Sequence, residues 1–458
     1  MTKNQKNHIF IDINIQFVYN VTEVIYMRRK ITEKLLAWKG NDRSRMPLLV
    51  YGARQVGKTH IIREFGENNY KNMAYINLEL NLSVSSFFTE NIEPERIIRF
   101  LEVSTGEKII PGETLIVLDE IQSCERALTA LKYFNEITPE YHIIGAGSLL
   151  GVVINREKYS FPVGKVDSIN MFSFDFEEFL WALNEDGLCE EIKKCYASNE
   201  AMPDALHKKA LELYKMYMVI GGMPKSILEY IQTKSLLTVP EVQNKIINDY
   251  IADMSKYSSN AESVKIRAAY NSIPVQLAKE NKKFQYKLAQ KGGTASIFGS
   301  SIDWLCFAGV VLKCQKIEHG FMPLSVYSDL SSFKLYMSDS GLLAMKSGIS
   351  QQTILSDNQV ENTFMGALTE NYVAQSFASK EYKLFYWTSQ NSAEIDFILQ
   401  LDNDIIPVEI KKGIRTKSKS LGIFNEKYNP AYSIRISSKN FGMENNIKSV
   451  PLYAVFCI

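Results

Sequence analysis

The stretch PLLVYGARQVGKTHIIREFG, residues 47–66, decides the fold. Leu48–Tyr51 is a short apolar run of the kind a buried strand takes, and 60–65 continue as a helix. Between them, Gly52, Ala53, Arg54, Gln55, Val56, Gly57, Lys58 and Thr59 fit GxxxxGK[ST], the P-loop. The spacing is chemical. Gly52 and Gly57 let the backbone turn and bring its N–H groups onto phosphates. The helix N-terminus adds partial positive charge. Lys58 reaches the β- and γ-phosphates, and Thr59 offers a hydroxyl to Mg²⁺. The expected nucleotide cradle is therefore Gly52 to Thr59 with His60, the next helical residue.

Three further segments extend this reading. Residues 114–120, TLIVLDE, form an apolar run ending in two carboxylates. Asp119 is the expected Mg²⁺ partner, on a strand next to the P-loop strand, and Glu120 is placed to activate a water. Residues 141–148, YHIIGAGS, read as another strand ending in Ser148, at the edge where open α/β sheets bind ligands. Ser148 senses the γ-phosphate, orients the water, or caps the following helix. Residues 72–80 read as one more strand, with Glu79 at its end either touching the site or standing as an exposed carboxylate.

Size and composition bound the rest. A chain of 458 residues is expected to hold two to four domains. Hydrophobic residues make up 46% and charged residues 22%, so a packed globular protein is expected. A net charge of +1 gives no global attraction to nucleic acid or membrane, so such binding needs a local patch. Six cysteines without a CxxC pair or a histidine at ligand spacing read as reduced, mostly buried thiols of a cytoplasmic protein, with no zinc site. The longest apolar run, 304–312, is too short to span a bilayer. Residues 1–26 carry no signal-peptide pattern.

The run GARQVGKT, LDEIQ, GAGSLL, FPVGKV with FSFDFEEFL, and GGMPKSI resembles the bacterial and archaeal AAA-type ATPases that carry a C-terminal domain of unknown function. The resemblance covers about residue 27 to the end. It implies an AAA-type parallel sheet, ATP, and a C-terminal domain that looks like the PD-(D/E)XK nuclease fold. Two departures stand out. Family members often have Arg where Lys165 follows Phe161-Pro162-Val163-Gly164, and Lys lacks the bidentate fork a phosphate sensor would use. The family typically begins just before RRKITEKLLAWKG, so 1–26 is expected to be a non-native, poorly packed extension.

From residue 175 to about 256 the pattern is helical and looks like an AAA lid. Gly221 and Gly222 there either hinge it or end a helix. Residues 261–345 read as two amphipathic helices, SVKIRAAYNSIPVQLAKEN and SSIDWLCFAGVVLKCQKI, followed by a hairpin in LSVYSDLSSFKLYMSD. That order suggests a winged helix, which contacts DNA or protein. Lys282, Lys283, Lys287 and Lys291 supply its local positive charge.

After a linker near 350–361 come a helix, GALTENYVAQSFAS, three strand runs, a second helix in KSKSLGIFNEKYN, and further strands. This is the PD-(D/E)XK core order. Asp396 and Glu409 would bind Mg²⁺, Glu370 would complete the shell, and Lys411 would orient water or neutralise phosphate charge. Period two puts Glu394 and Asp396 on one face of their strand, and Glu409 and Lys411 on one face of theirs. The bland alternative is a cross-strand ion pair on amphipathic edge strands. A basic run, Lys411, Lys412, Arg415, Lys417 and Lys419, lies beside these residues.

The expected architecture is thus α/β. It comprises an extension (1–26), an AAA-type P-loop ATPase domain (27–174), a helical lid (175–256), a winged-helix-like domain (257–348) and a PD-(D/E)XK nuclease-like domain (359–458). The expected function is Mg²⁺-dependent ATP hydrolysis controlling a nuclease-like, nucleic-acid-binding domain, in a protein that is not membrane-bound. The alternatives are a nucleotide-dependent switch or scaffold that does not cleave but grips a protein partner, and an ATP-gated nuclease. Assembly into oligomers fits the module class, but no arginine finger is identifiable.

Overall fold

The computed structural model describes residues 27–458, apart from 91, 155–161, 257, 357–362, 390–392, 402 and 412–418. The expected extension 1–26 lies outside the described residues. So do Phe161 and, of the basic run, Lys412, Arg415 and Lys417.

Five parallel strands form the first sheet: β1 (Leu48–Tyr51), β2 (Asn72–Asn77), β3 (Thr114–Asp119), β4 (His142–Ala146) and β5 (Asp167–Asn170), in the order β2-β3-β4-β1-β5. Leu48 and Val50 point into one core and Leu49 into a second. Both faces of the sheet are therefore covered, which is why β1, β3 and β4 read as unbroken apolar runs. β5 is a polar edge strand and had no such signature.

One expectation is corrected here. β3 does not neighbour β1, because β4 lies between them. The helix Lys58–Asn69 leaves β1, packs across β4 and β3, and delivers the chain to β2. Asp119 still faces the P-loop because all five strands end at the same sheet edge.

The segment 175–256 is helical. The Asp175 side chain and Glu178 form a reciprocal capping box on the helix Phe176–Ala182. Gly221, at φ +74°, ends the helix Asp204–Ile220. Of the two readings of this Gly pair, the structure supports the helix end. A Cβ at Gly222 would lie 2.0 Å from the Phe174 carbonyl oxygen. Gly222 N–H donates to Asp339 at 2.7 Å, and Phe174 N–H donates to the Gly222 carbonyl at 2.7 Å.

The second sheet has eight strands: β6 (Val311–Ile317), β7 (Ser328–Met337), β8 (Phe385–Thr388), β9 (Glu394–Leu401), β10 (Asp404–Ile410), β11 (Ser433–Ser437), β12 (Gly442–Glu444) and β13 (Ile447–Pro451). Their order is β12-β13-β11-β10-β9-β8-β6-β7. Two further readings are corrected. The run expected as one helix to residue 317 is the helix Ala295–Phe307, a turn at Gly309 (φ +70°) and then β6. The run expected as a hairpin is a single strand, β7, entered through the short turn Leu324–Tyr327; its antiparallel partner is β6.

The cause is visible in β6. Its buried residues are Val311, Cys314 and Ile317, every third position, with Val311 and Cys314 in the main core and Ile317 in a smaller one. That spacing imitates a helix. β6 also pairs in parallel with β8, so the segments expected as two domains share one sheet.

Candidate functional site

The P-loop turns on two positive-φ glycines, Gly52 (+141°) and Gly57 (+100°), with Gln55 at +66°. Lys58 begins the helix and is 7% exposed. Its ammonium donates to the carbonyls of Gly52 and Ala53, both at 2.8 Å. Burial pushes its pKa down to about 8, against the pull of Glu120 and Asp119.

Thr59 Oγ1 donates to Asp119 Oδ2 at 2.9 Å, although a strand intervenes. Tyr75, on β2, donates to the same oxygen at 2.7 Å. The Glu120 N–H donates to Asp119 Oδ1 at 3.0 Å. Glu120 itself takes a left-handed backbone, φ 50° and ψ 42°. Its carboxylate accepts from the Gln122 amide at 2.5 Å. The oxygen pair of Thr59 and Asp119 suits a hard cation such as Mg²⁺. Neither Tyr75 nor Gln122 was singled out from sequence. Gln122 had a signal, its place two residues after Glu120; Tyr75 had none beyond a polar tip on an otherwise apolar strand.

A cavity of ≈ 540 Å³ opens over this edge. Arg54, Gln55, Gly57, Lys58, Thr59, His60, Glu120 and Ser148 line its polar half. Met27, Ile61, Met171, Phe174, Pro224 and Leu228 line an apolar half that sequence reasoning missed. Pro224 and Leu228 belong to the helix Pro224–Thr233, so the GGMPKS segment supplies one wall. Arg29 braces the loop from below. It is 6% exposed, donates to the carbonyls of Val56 (3.0 Å) and Phe172 (2.7 Å), pairs with Glu178 (3.1 Å), and stacks on Phe174.

Neighbouring elements hold the variable P-loop residues. Arg54 pairs with Asp253 at 2.5 Å, and Gln55 donates to Asp249 at 2.6 Å. Both acids lie on the helix Val239–Lys256. The Tyr250 hydroxyl donates to the Arg54 carbonyl at 3.0 Å. A Cβ at Gly309 would come within 3.1 Å of the Ala53 nitrogen, so the turn before β6 also abuts the loop. Lys165 pairs with Glu136 at 3.0 Å and does not line the cavity. Glu79 pairs with Lys256.

The second group of expected site residues does not converge. Glu370, on the helix Thr363–Ser379, is 2% exposed. One of its oxygens accepts from Lys334 (3.0 Å) and the Tyr336 hydroxyl, and the other from Lys282. Burial alone would raise its pKa, but Lys334 and Lys282 override that and hold it down at about 2. Lys334 also donates to Glu394 at 2.6 Å. Asp396 accepts from the Ile410 N–H at 2.8 Å, and burial, with Glu370 near, pushes it up to about 7.

Glu409 instead pairs with Lys411 at 3.0 Å and lies 3.9 Å from Arg435. Strand alternation explains the separation. Val408, Ile434 and Ile436 enter the main core, so Glu409 and Arg435 face the opposite side. Ile395 enters the small core on that opposite side, so Asp396 faces the main one. A bulge in the β8–β9 pairing sets Ile395 and Ile398 opposite Trp387 and Phe385, and the alternation slips there. Among the described residues, no three His, Cys, Asp or Glu side chains gather as metal ligands. The expected Mg²⁺ set of Asp396, Glu409 and Glu370, with Lys411 beside it, is not assembled.

The expected basic patch is also partly engaged. Lys282 is committed to Glu370, and Lys283 donates to Ser332 at 2.8 Å. All six cysteines are free. Among the described residues, no helix is long and apolar enough to cross a membrane.

The family model for an AAA domain matches residues 44–180. Models for two domains of unknown function, DUF8612 and DUF4143, match 211–353 and 365–455. No curated protein matches the chain at a significant level. Among solved structures, the Walker-type ATPase PABY2304 of Pyrococcus abyssi is 16% identical, with 70% of this chain and 96% of that one covered and a TM-score of 0.43. The Aeropyrum pernix ORC1 protein in complex with DNA is 14% identical, with 74% and 95% covered and a TM-score of 0.32. The Thermotoga maritima RuvB Holliday junction branch migration motor is 12% identical, with 62% and 89% covered and a TM-score of 0.30. At these TM-scores the likenesses carry no argument. The AAA match covers the P-loop, β3 and Ser148, so residues 44–180 form an AAA-type P-loop ATPase-like domain, and such a domain binds nucleotide.

Proposed function

We propose that the protein binds ATP in the 540 Å³ cavity and hydrolyses it with Mg²⁺. The observation that carries this is the meeting of Thr59, Asp119 and Glu120 beside Lys58. The apolar half suits a base, and the loop suits phosphates. Thr59 and Asp119 would hold Mg²⁺, which when bound neutralises charge on the phosphate oxygens. Lys58 exchanges its loop carbonyls for phosphate oxygens. Glu120 takes a proton from water as the water oxygen bonds to the γ-phosphorus and the bond to the β–γ bridging oxygen breaks, releasing ADP and phosphate. Lys58→Ala is expected to abolish nucleotide binding. Glu120→Gln is expected to keep binding and stop turnover. Turnover at the wild-type rate in Glu120→Gln overturns the hydrolytic reading.

For the C-terminal unit, the saturation of Glu370 by Lys334, Tyr336 and Lys282 favours a nucleotide-controlled module that does not cleave. The element order, with a helix, three antiparallel strands, a helix and a parallel strand, supports a nuclease-like fold that has lost its metal site. Incubation with Mg²⁺ or Mn²⁺ and single-stranded DNA, duplex DNA or RNA tests this. Cleavage that disappears in Asp396→Ala would restore the nuclease reading. Stimulation of ATP hydrolysis by DNA would identify nucleic acid as the ligand of this unit.

A further inference from the structure

Glu120 carries the proton transfer proposed above, yet its own position is unusual. It is a non-glycine residue in the left-handed region, φ 50°, a conformation that persists only where surroundings enforce it. Its carboxylate is held by Gln122. That side chain lies in the turn Ile121–Ser123, is 7% exposed, and its amide nitrogen sits 2.5 Å from Glu120 Oε2. The other end of the amide is odd in a complementary way. Gln122 Oε1 is buried and has no hydrogen-bond partner among the described residues, which is unfavourable for a polar atom.

The oxygen is held there by shape. It fits the space that a side chain on Gly147 would fill, since a Cβ at Gly147 would lie 1.7 Å from Gln122 Oε1 and 2.8 Å from Cδ. Gly147 directly precedes Ser148, which lines the nucleotide cavity. An amide that leaves its oxygen unpaired in order to present its N–H to one carboxylate is poorly explained by stability alone.

We propose that Gln122 is the positioning residue of Glu120. Seated against Gly147, it fixes the carboxylate that receives the water proton and ties that carboxylate to the β4 turn bearing Ser148. The inference rests on the hydrolytic reading of the site and deepens it.

Steady-state ATP hydrolysis by the full chain tests it with three variants, and Glu120→Gln is the control. Gln122→Ala is expected to lower kcat at least about tenfold, a part of the 10²–10⁴ that a placed general base supplies, with KM within about twofold. Gly147→Ala displaces Gln122 and is expected to reproduce that kcat loss. Gln122→Glu is nearly isosteric and sets a second carboxylate against Glu120. Like charges raise the pair's proton affinity, so the acidic limb of its kcat–pH profile is expected to move to higher pH. An unchanged or raised kcat in Gln122→Ala overturns the proposal. So does a change confined to KM, or an unmoved acidic limb in Gln122→Glu. If Glu120→Gln abolishes turnover while Gln122→Ala does not reduce it, this inference fails and the hydrolytic reading stands. If Glu120→Gln turns over like wild type, the hydrolytic reading itself fails.

Discussion

Lys58 sits where burial and charge oppose one another. Its pKa of about 8 means that the free protein loses this cation as pH rises above 8. Phosphate binding wants the charged form, so binding must take up a proton there. The nucleotide Kd is therefore expected to rise above pH 8, by up to about tenfold per pH unit, and to be flat from pH 6.5 to 7.5. Calorimetric titration in buffers of different ionisation enthalpy reads that proton directly. Asp119 poses a second question at this scale, because Thr59 and Tyr75 donate to one of its oxygens together. Tyr75→Phe leaves the ring but removes one of the two donors to that oxygen. By analogy with residues that orient metal ligands, the Mg²⁺ needed for half-maximal turnover is expected to rise about tenfold. An unchanged Mg²⁺ titration would leave Tyr75 as packing only.

Elements meet at glycines whose missing side chains let backbones touch, and this decides the sign of two substitutions. Gly222 lies against Phe174, so Gly222→Ala pushes these two backbone segments apart; overpacking of this kind costs about 1–3 kcal/mol. Gly187, in the helix Asp186–Ser198, has nothing within 4 Å of an added Cβ. Gly187→Ala is expected to stabilise by about 0.5 kcal/mol through helix propensity. Thermal unfolding of both variants should therefore move in opposite directions. The same scale shows what the sequence could tell. GARQVGKT and LDE were legible because phosphate chemistry fixes residue types at fixed spacing. β6 was not, because its buried residues Val311, Cys314 and Ile317 stand at helical spacing. The separation of Asp396 from Glu409 was hidden for a related reason. Alternation predicts a face only while the register holds, and the β8–β9 bulge, between Ile395 and Ile398, breaks it at Asp396.

At the scale of the molecule, the chain is welded where the sequence suggested a joint. β6 and β7 extend the C-terminal sheet through β8. Lys282, Lys334 and Tyr336, all from before residue 348, neutralise or bond Glu370 from after it. A fragment of residues 359–458 would keep Glu370 and lose all three. An uncompensated buried charge costs about 3–5 kcal/mol, so this fragment is expected to show no cooperative unfolding transition, whereas one beginning at 257 should.

The same cluster gives the whole chain a pH signature. Asp396 has a pKa near 7 in the fold and, like any exposed aspartate, about 3.9 when unfolded. Between those values the folded chain holds a proton that the unfolded chain has released. Stability contributed by this group is thus complete below about pH 4 and declines as pH rises through 7. Glu370 acts in the opposite sense. Its depressed pKa adds stability above about pH 4.5, which is lost as pH falls toward 2. Asp396→Asn keeps the acceptor for the Ile410 N–H but cannot ionise, so its denaturant midpoint should gain on wild type steadily from pH 4.5 to 7.5. A constant offset between the two proteins across that range would show that Asp396 titrates normally and that the cluster around Glu370 does not hold it protonated.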